Sequence, residues 1–318
     1  MQSILIVGVG SIGARHVKNL LALGFRNLTI CDPSQKRAAA VSQNGKLRTY
    51  TDMSTALKTE HPEIVFICTP PHLHVLHARQ ALHSGAHVFI EKPISHALQG
   101  IDALRRKAER KKKVVMVACN YRFHAGFQKL QALLLRRTCG VPLFARVTLG
   151  YYLPSARRGG RYKQTYAAGK KGGGVILDSG SHVVDYLSVL LGGIKKSTVF
   201  RSTLHTLGIQ SEEAAVLFLE HRSGVLSSIS LDYVRKKPVH ILEVVTDRGT
   251  LMLDFREGRL VFESEKVRKT VYKGDGDLNK MFIAEIREFL RCVRYGLKSP
   301  QDIKAAKHTL QTLLVISR

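Results

Sequence analysis

Acidic residues are scarce. The 318-residue chain holds 24 Asp and Glu against 50 Lys and Arg, a formal net charge of +26. Such a balance points toward anionic partners: nucleic acid, anionic lipid or a phosphorylated substrate. The cations come mostly as doublets spread along the chain: Arg136-Arg137, Arg157-Arg158, Lys170-Lys171 and Lys195-Lys196. One longer cluster, Arg105 to Lys113, falls toward the end of a predicted helix, where positive charge suits the macrodipole. No zinc-finger spacing, recognition-helix signature or aromatic RNA motif accompanies them, so no specific nucleic-acid partner is expected.

Cysteine is sparse too. The five (Cys31, Cys68, Cys119, Cys139 and Cys292) include no CxxC pair, and an odd number does not make a disulfide framework. Buried free thiols in a reducing compartment are the expectation. No apolar run approaches the ~20 residues that span a bilayer. The start MQSILIVGVG lacks the basic residues and long apolar stretch of a signal peptide and reads as a strand. A cytoplasmic protein with no membrane partner is expected. His72 and His74 have no Cys or carboxylate cluster beside them, so no metal is expected.

What is present is a regular alternation. Ile4–Val7, Leu28–Cys31, Ile64–Cys68, Val88–Ile90 and Val114–Ala118 are short and apolar throughout, like strands buried on both faces of a parallel sheet. Helical periodicity fills the gaps at Ile12–Leu23, Gln35–Asn44, His74–Ser84 and Ala97–Arg110. The order is that of a doubly wound α/β sheet. After Asn120 the pattern changes. A helix at His124–Leu135 precedes an extended segment, Leu143–Leu153. A loop rich in Gly, Lys and Tyr then leads to a helix near Leu177–Leu191. From Ser197 to Tyr272 apolar and polar residues alternate between turns, as in an antiparallel meander, and helices at Asn279–Tyr295 and Gln301–Ile316 follow. The expected fold is therefore α/β: a doubly wound Rossmann domain over 1–120, then an α+β domain over 121–318 with a large, mostly antiparallel open sheet. The second would bind substrate and supply an interface for a homo-oligomer, dimer or tetramer.

Gly8-Val9-Gly10-Ser11-Ile12-Gly13 is a GxGxxG fingerprint placed between a strand and a helix. Gly8 permits the turn, Gly10 lets the backbone approach a pyrophosphate, and Gly13 lets the helix pack on the strand. The helix N-terminus, from Ser11 and Ile12, offers free N–H groups to phosphate. Asp32, nineteen residues after Gly13, stands where an acidic residue grips ribose hydroxyls, which favours NAD; Lys36 and Arg37 close behind leave NADP open.

Further motifs follow in Cys68-Thr69-Pro70-Pro71-His72-Leu73-His74, Glu91-Lys92-Pro93 and Gly172-Gly173-Gly174-Val175-Ile176-Leu177-Asp178-Ser179-Gly180-Ser181-His182. With the fingerprint, these resemble the glucose-fructose oxidoreductase / inositol dehydrogenase (Gfo/Idh/MocA) family over nearly the whole chain. The resemblance implies that Lys92 reaches the reacting centre from a turn whose bond to proline is cis, and that Asp178 and His182 are catalytic. It also implies a cofactor pocket that includes Thr69, Pro70, His74, Glu91, Lys92 and Asn120. The stretch Tyr152-Leu153-Pro154…Tyr162…Tyr166 and the run Leu231-Asp232-Tyr233 look like the branch found with bacterial surface-polysaccharide biosynthesis. That branch often reads D-L-S-H-E-L-D where this chain reads Asp178-Ser179-Gly180-Ser181-His182-Val183-Val184-Asp185.

The residues themselves fit hydride transfer. On a helix, Asp178 and His182 share a face, so the carboxylate can orient the imidazole. Alcohol oxidation needs a base for the hydroxyl proton, which a histidine supplies near neutral pH. Lys92 can hold the alkoxide or polarise the carbonyl oxygen. A site between the domains is implied. Asn120 and Arg122 are placed to face nicotinamide or substrate, with a hinge-packing role as the rival. Tyr162 and Tyr166 are candidates for sugar contact, with loop anchoring as theirs. Arg161, in the basic loop Arg157–Lys163, is a candidate for an anionic substrate group. The expected function is an NAD(H)-dependent oxidoreductase of a sugar or sugar-nucleotide hydroxyl carbon. The alternative is a non-catalytic sensor binding dinucleotide and sugar on the same fold, against which the intact Lys92, Asp178 and His182 argue.

Overall fold

The computed structural model describes residues 2–42, 45–156, 162–169, 173–202 and 204–316. The chain forms two compact units, Met1–Ala118 with Phe282–His308, and Cys119–Met281 with Thr309–Arg318. Phe282–His308, which the sequence reading assigns to the second domain, packs with the first.

The first unit is a six-stranded sheet of β1 (Ile4–Val7), β2 (Leu28–Cys31), β3 (Arg48–Tyr50), β4 (Ile64–Ile67), β5 (His87–Ile90) and β6 (Val115–Val117). Every pairing is parallel, in the order β3-β2-β1-β4-β5-β6. The apolar runs are continuous because the central strands are buried on both faces: all four residues of β1, β2 and β4 are buried. Phe66 of β4 stacks on Phe89 of β5 at 4.7 Å, and both rings meet Phe289 edge-on at 5.8 and 5.4 Å. Phe289 is fully buried, so the returning helix, Asn279–Tyr295, completes this core. Beyond it the Val117 N–H donates to the Gln301 carbonyl at 2.9 Å, and Lys307 pairs with Asp102 at 2.7 Å.

The second unit is built on β7 (Pro142–Tyr152), β8 (Ile194–Arg201), β9 (Ala214–His221), β10 (Leu226–Asp232), β11 (Val234–Thr246), β12 (Gly249–Asp254), β13 (Arg259–Glu263) and β14 (Arg268–Lys273). The order is β14-β13-β12-β11-β7-β10-β9-β8. The meander is antiparallel except where β7 intervenes between β11 and β10, and β7 and β10 pair in parallel. One face is covered, with Ala145, Val147, Leu217, Ile229, Leu242 and Leu253 buried. Helix Gly180–Leu191 packs on it, since a Cβ on Gly180 would lie 3.2 Å from Leu231.

Two elements escape the hydrophobic pattern. The edge strand Arg48–Tyr50 and the helix Met53–Glu60 lie where sequence reading gives only connection. The helix expected from Ala97 starts at Ile101, after Gly100 at φ +81°. The helix expected over Leu177–Leu191 is divided: Gly174–Asp178 and Gly180–Leu191 meet at Ser179. Among the described residues, no helix is long and apolar enough to cross a membrane.

Candidate active site

In the first unit the fingerprint forms a cradle. Gly8 has φ +86°, and a Cβ there would lie 2.9 Å from the Cys68 carbonyl group. A Cβ on Gly13 would meet the Gly8 carbonyl oxygen at 1.9 Å, so only glycine lets helix Ser11–Ala22 sit this close to β1. A Cβ on Gly10 would meet nothing within 4 Å. No side chain caps that helix, whose N-cap is Gly10. An uncapped N-terminus beside open space fits a pyrophosphate.

Asp32 follows β2 and is buried. Its Oδ2 accepts from the Val9 N–H at 2.9 Å and its Oδ1 from the Ser34 N–H at 2.8 Å. Arg37 adds two donors, Nε at 3.1 Å and Nη2 at 2.8 Å from Oδ1. Burial pushes the carboxyl up, but the Arg37 hydrogen bonds and the two backbone donors outweigh it and hold the group below its ordinary value. Asp32 therefore ties the loop after β2 to the glycine turn.

The Lys92–Pro93 bond is cis. Beneath this turn Glu91 is buried, its Oε1 2.7 Å from His16 Nε2 and its Oε2 accepting the Lys92 N–H at 3.2 Å. Burial raises the Glu91 carboxyl, but the His16 hydrogen bond and the charges of His16 and Lys92 bring it below the usual value. The sequence offers no sign of His16 beyond a histidine on the apolar side of a helix. Both His74 nitrogens face carbonyl oxygens, Nδ1 2.8 Å from that of Pro93 and Nε2 2.6 Å from that of Thr69, and burial keeps the ring neutral, so one of the two donates. The ring thereby stands between the two loops. Thr69 Oγ1 lies 3.2 Å from His77 Nδ1. Cys68 is buried, and its thiol is pushed well above the ordinary range by that burial and by the charge of Glu91; it is no nucleophile.

In the second unit Asp178 is buried, and its carboxylate gathers hydroxyls from three separate elements. Tyr151 of β7 donates to Oδ2 at 3.2 Å, Tyr233 to Oδ2 at 3.0 Å, and Tyr166 to Oδ1 through a short bond. His182 lies one helical turn on, and the Tyr121 ring meets it edge-on with centroids 5.0 Å apart. Behind Tyr121 stand His240 at 4.6 Å and Phe255 at 5.2 Å. His240 stays neutral because burial lowers it to about 3.

Arg122, a candidate for substrate, is bound to Asp185, with Nε 2.6 Å from Oδ2 and Nη2 2.5 Å from Oδ1. That pair ties the turn Asn120–Phe123 to the helix of His182. Asp185 is a residue to which the sequence reading gave no role. Its signal was the H-x-x-D spacing from His182, which puts it almost one turn further along the helix. The Tyr162 hydroxyl donates to the Leu207 carbonyl at 2.9 Å, which anchors its loop. Tyr166 serves Asp178. Asn120 is buried, and its Oδ1 has no partner among the described residues, which leaves an acceptor for a ligand. Arg161, the rest of Arg157–Gly160, and Gly172 lie outside the described residues.

The comparisons agree with this architecture. Residues 2–119 match the model of an oxidoreductase family with an NAD-binding Rossmann fold, and residues 127–252 match the C-terminal domain of the same family. The 4-carboxy-2-hydroxymuconate-6-semialdehyde dehydrogenase of Sphingobium is 23% identical over 92% of this chain and 90% of its own. The D-apiose dehydrogenase of Paraburkholderia graminis is 25% identical over 79% of this chain and 68% of its own. The solved structure of UDP-N-acetylglucosamine 3-dehydrogenase from Acidithiobacillus ferrooxidans superposes with a TM-score of 0.83, covering 99% of this chain and 96% of that one at 20% identity. The glycine cradle, the cis Lys92–Pro93 turn and the Asp178–His182 segment thus stand in a chain that belongs to the Gfo/Idh/MocA family of NAD-binding oxidoreductases.

Proposed function

We propose that this chain is an NAD(H)-dependent dehydrogenase acting on a hydroxyl carbon of a sugar or sugar nucleotide. What carries the reading is an uncapped, open glycine cradle in a chain that also holds His182 four residues beyond the buried, hydrogen-bonded Asp178 carboxylate, and we give His182 the acid–base role. The names of two similar proteins, a D-apiose dehydrogenase and a UDP-N-acetylglucosamine 3-dehydrogenase, support a sugar and extend the range to nucleotide sugars. Surface-polysaccharide biosynthesis is the setting we propose from the resemblance carried by Tyr152-Leu153-Pro154 and Leu231-Asp232-Tyr233.

The bound dinucleotide supplies the hydride acceptor. Gly10 and the N–H groups of the following helix hold its phosphates, and Asp32 holds a ribose. His182 takes the hydroxyl proton as hydride leaves, and returns it in the reverse reaction. Asp178 favours the imidazolium so formed. Lys92 stabilises the alkoxide. Asn120 offers an amide to the nicotinamide or substrate. We also propose a homo-oligomer, supported by the apolar side chains of Phe200, Val216 and Phe218 exposed on β8 and β9 (67%, 40% and 50%).

The test is a screen of free and nucleotide-linked sugars with NAD and NADP, following absorbance of the reduced cofactor. With the best substrate, His182→Ala should lower turnover by roughly 10²–10⁴-fold while leaving dinucleotide affinity near that of the wild type. Turnover within a few-fold of wild type would give the proton to another group.

A further inference from the structure

Tyr166 and Tyr233, which the sequence reading set apart as a sugar contact and as the mark of a branch, converge on one carboxylate with Tyr151, to which that reading gave no role. Tyr151 comes from the end of β7, Tyr166 from the turn Tyr166–Ala168, and Tyr233 from the residue after β10. They come from three separate stretches of sequence, and each presents its hydroxyl to Asp178, with the Tyr151 and Tyr233 rings also packed together at 5.3 Å. From this convergence we propose that Tyr151, Tyr166 and Tyr233 are positioning residues that fix the Asp178 side chain as an anion and thereby set the protonation of His182.

An ionised carboxylate is acceptor-only, with roughly four lone-pair sites. Three O–H donors occupy most of them, and each bond favours the charged form over the neutral one. Had Asp178 been placed to exchange protons with substrate, three phenols would be a poor surround, because the acid form loses bonds on protonation. The surround suits a fixed charge. Among the described residues, the other charged groups on the elements packed against it include Asp232, paired with Arg235, and Glu213, which accepts from Thr206 and Leu207. Glu212 accepts the Ile176 N–H at 3.0 Å, and burial raises its carboxyl. His182 stands on the next helix, and Asp185, also there, is neutralised by Arg122. Tyr233 feels the charge in return: burial, then Asp178, push its phenol well above the ordinary range.

The consequence for catalysis rests on the proposed acid–base role of His182. An anion fixed one turn before the imidazole stabilises the imidazolium, so loss of a phenol donor weakens that support at acid pH first. Removing one donor raises the carboxyl pKa; where Asp178 is then protonated the imidazolium loses its partner, the His182 pKa falls, and the acid limb of kcat/KM moves to lower pH.

The experiment has two arms. In the first, the ionisation of Asp178 is followed by carbon NMR of aspartate-labelled protein, with Asp178→Asn identifying the signal. The wild-type midpoint should lie below about 3.9, and Tyr166→Phe or Tyr151→Phe should raise it by about one unit. A midpoint unmoved by both substitutions overturns the proposal. In the second, tyrosine ionisation is titrated by absorbance at high pH, which needs neither substrate nor acid stability. Asp178→Asn should bring at least one late-ionising tyrosine down toward the ordinary range near 10. A curve identical to the wild type overturns the proposal as well. The two arms stand even if no sugar is turned over, an outcome that would sink the dehydrogenase reading alone. Where a substrate is found, Tyr166→Phe should shift the acid limb of kcat/KM with the Kd for NADH unchanged; a fall in melting temperature with an unmoved limb marks a merely structural role.

Discussion

A ribose hydroxyl that is to bond Asp32 meets a carboxylate already in use. Val9, Ser34 and Arg37 hold it in the structure. The backbone bonds belong to the fold, whereas the Arg37 guanidinium is more than half exposed and free to swing away. If Asp32 holds the ribose as proposed, Arg37 competes with NAD for it and offers a fork to a 2′-phosphate. Arg37→Ala should tighten NADH binding and weaken NADPH binding, changing the ratio of the two Kd values by about tenfold. Titration of both cofactors by fluorescence checks this. A ratio equal to that of the wild type would mean that Arg37 only braces the loop.

At the scale of elements, the helix that carries Asp178 begins at Gly174, with φ +87°. A Cβ there would lie 2.1 Å from the Glu212 carboxylate, which caps the helix through Ile176. Gly174→Ala combines a left-handed backbone cost of about 1–2 kcal/mol with displacement of that cap. Denaturant unfolding should show at least that loss, and turnover should fall with it; an unchanged midpoint would refute the account. The legibility of elements followed burial. β1, β2 and β4 were readable because a strand buried on both faces leaves an unbroken apolar run. Arg48–Tyr50 was not, because it is a short edge strand that is mostly exposed and carries no such run. The divided helix at Ser179 was hidden as well, since Asp178 and His182 keep nearly helical spacing across it. The glycine fingerprint and the Asp-x-x-x-His spacing were legible as local patterns. The tyrosines around Asp178 and the His16–Glu91 pair were not, because each joins residues that only tertiary structure brings together.

At the scale of the whole molecule, the core of the first unit depends on a segment more than 160 residues beyond its sixth strand. Phe289 closes over Phe66 and Phe89. Phe289→Ala should cost about 3–5 kcal/mol, read from the denaturant midpoint. It should also weaken dinucleotide binding, although Phe289 has no place in the cradle. Retention of wild-type stability would show that the helix is only appended.

The same connectivity bears on how such a protein can be taken apart. The chain passes from one unit to the other three times, after Ala118, after Met281 and after His308. Neither unit is a cassette: cutting the backbone once near residue 119 leaves the C-terminal fragment carrying Phe282–His308, which belongs to the first unit, and leaves the N-terminal fragment without the helix that closes its core. Transplanting the dinucleotide unit into another enzyme requires two stretches of gene rather than one. Substrate range in such a scaffold is therefore more readily altered by point changes and loop lengths than by exchange of entire modules.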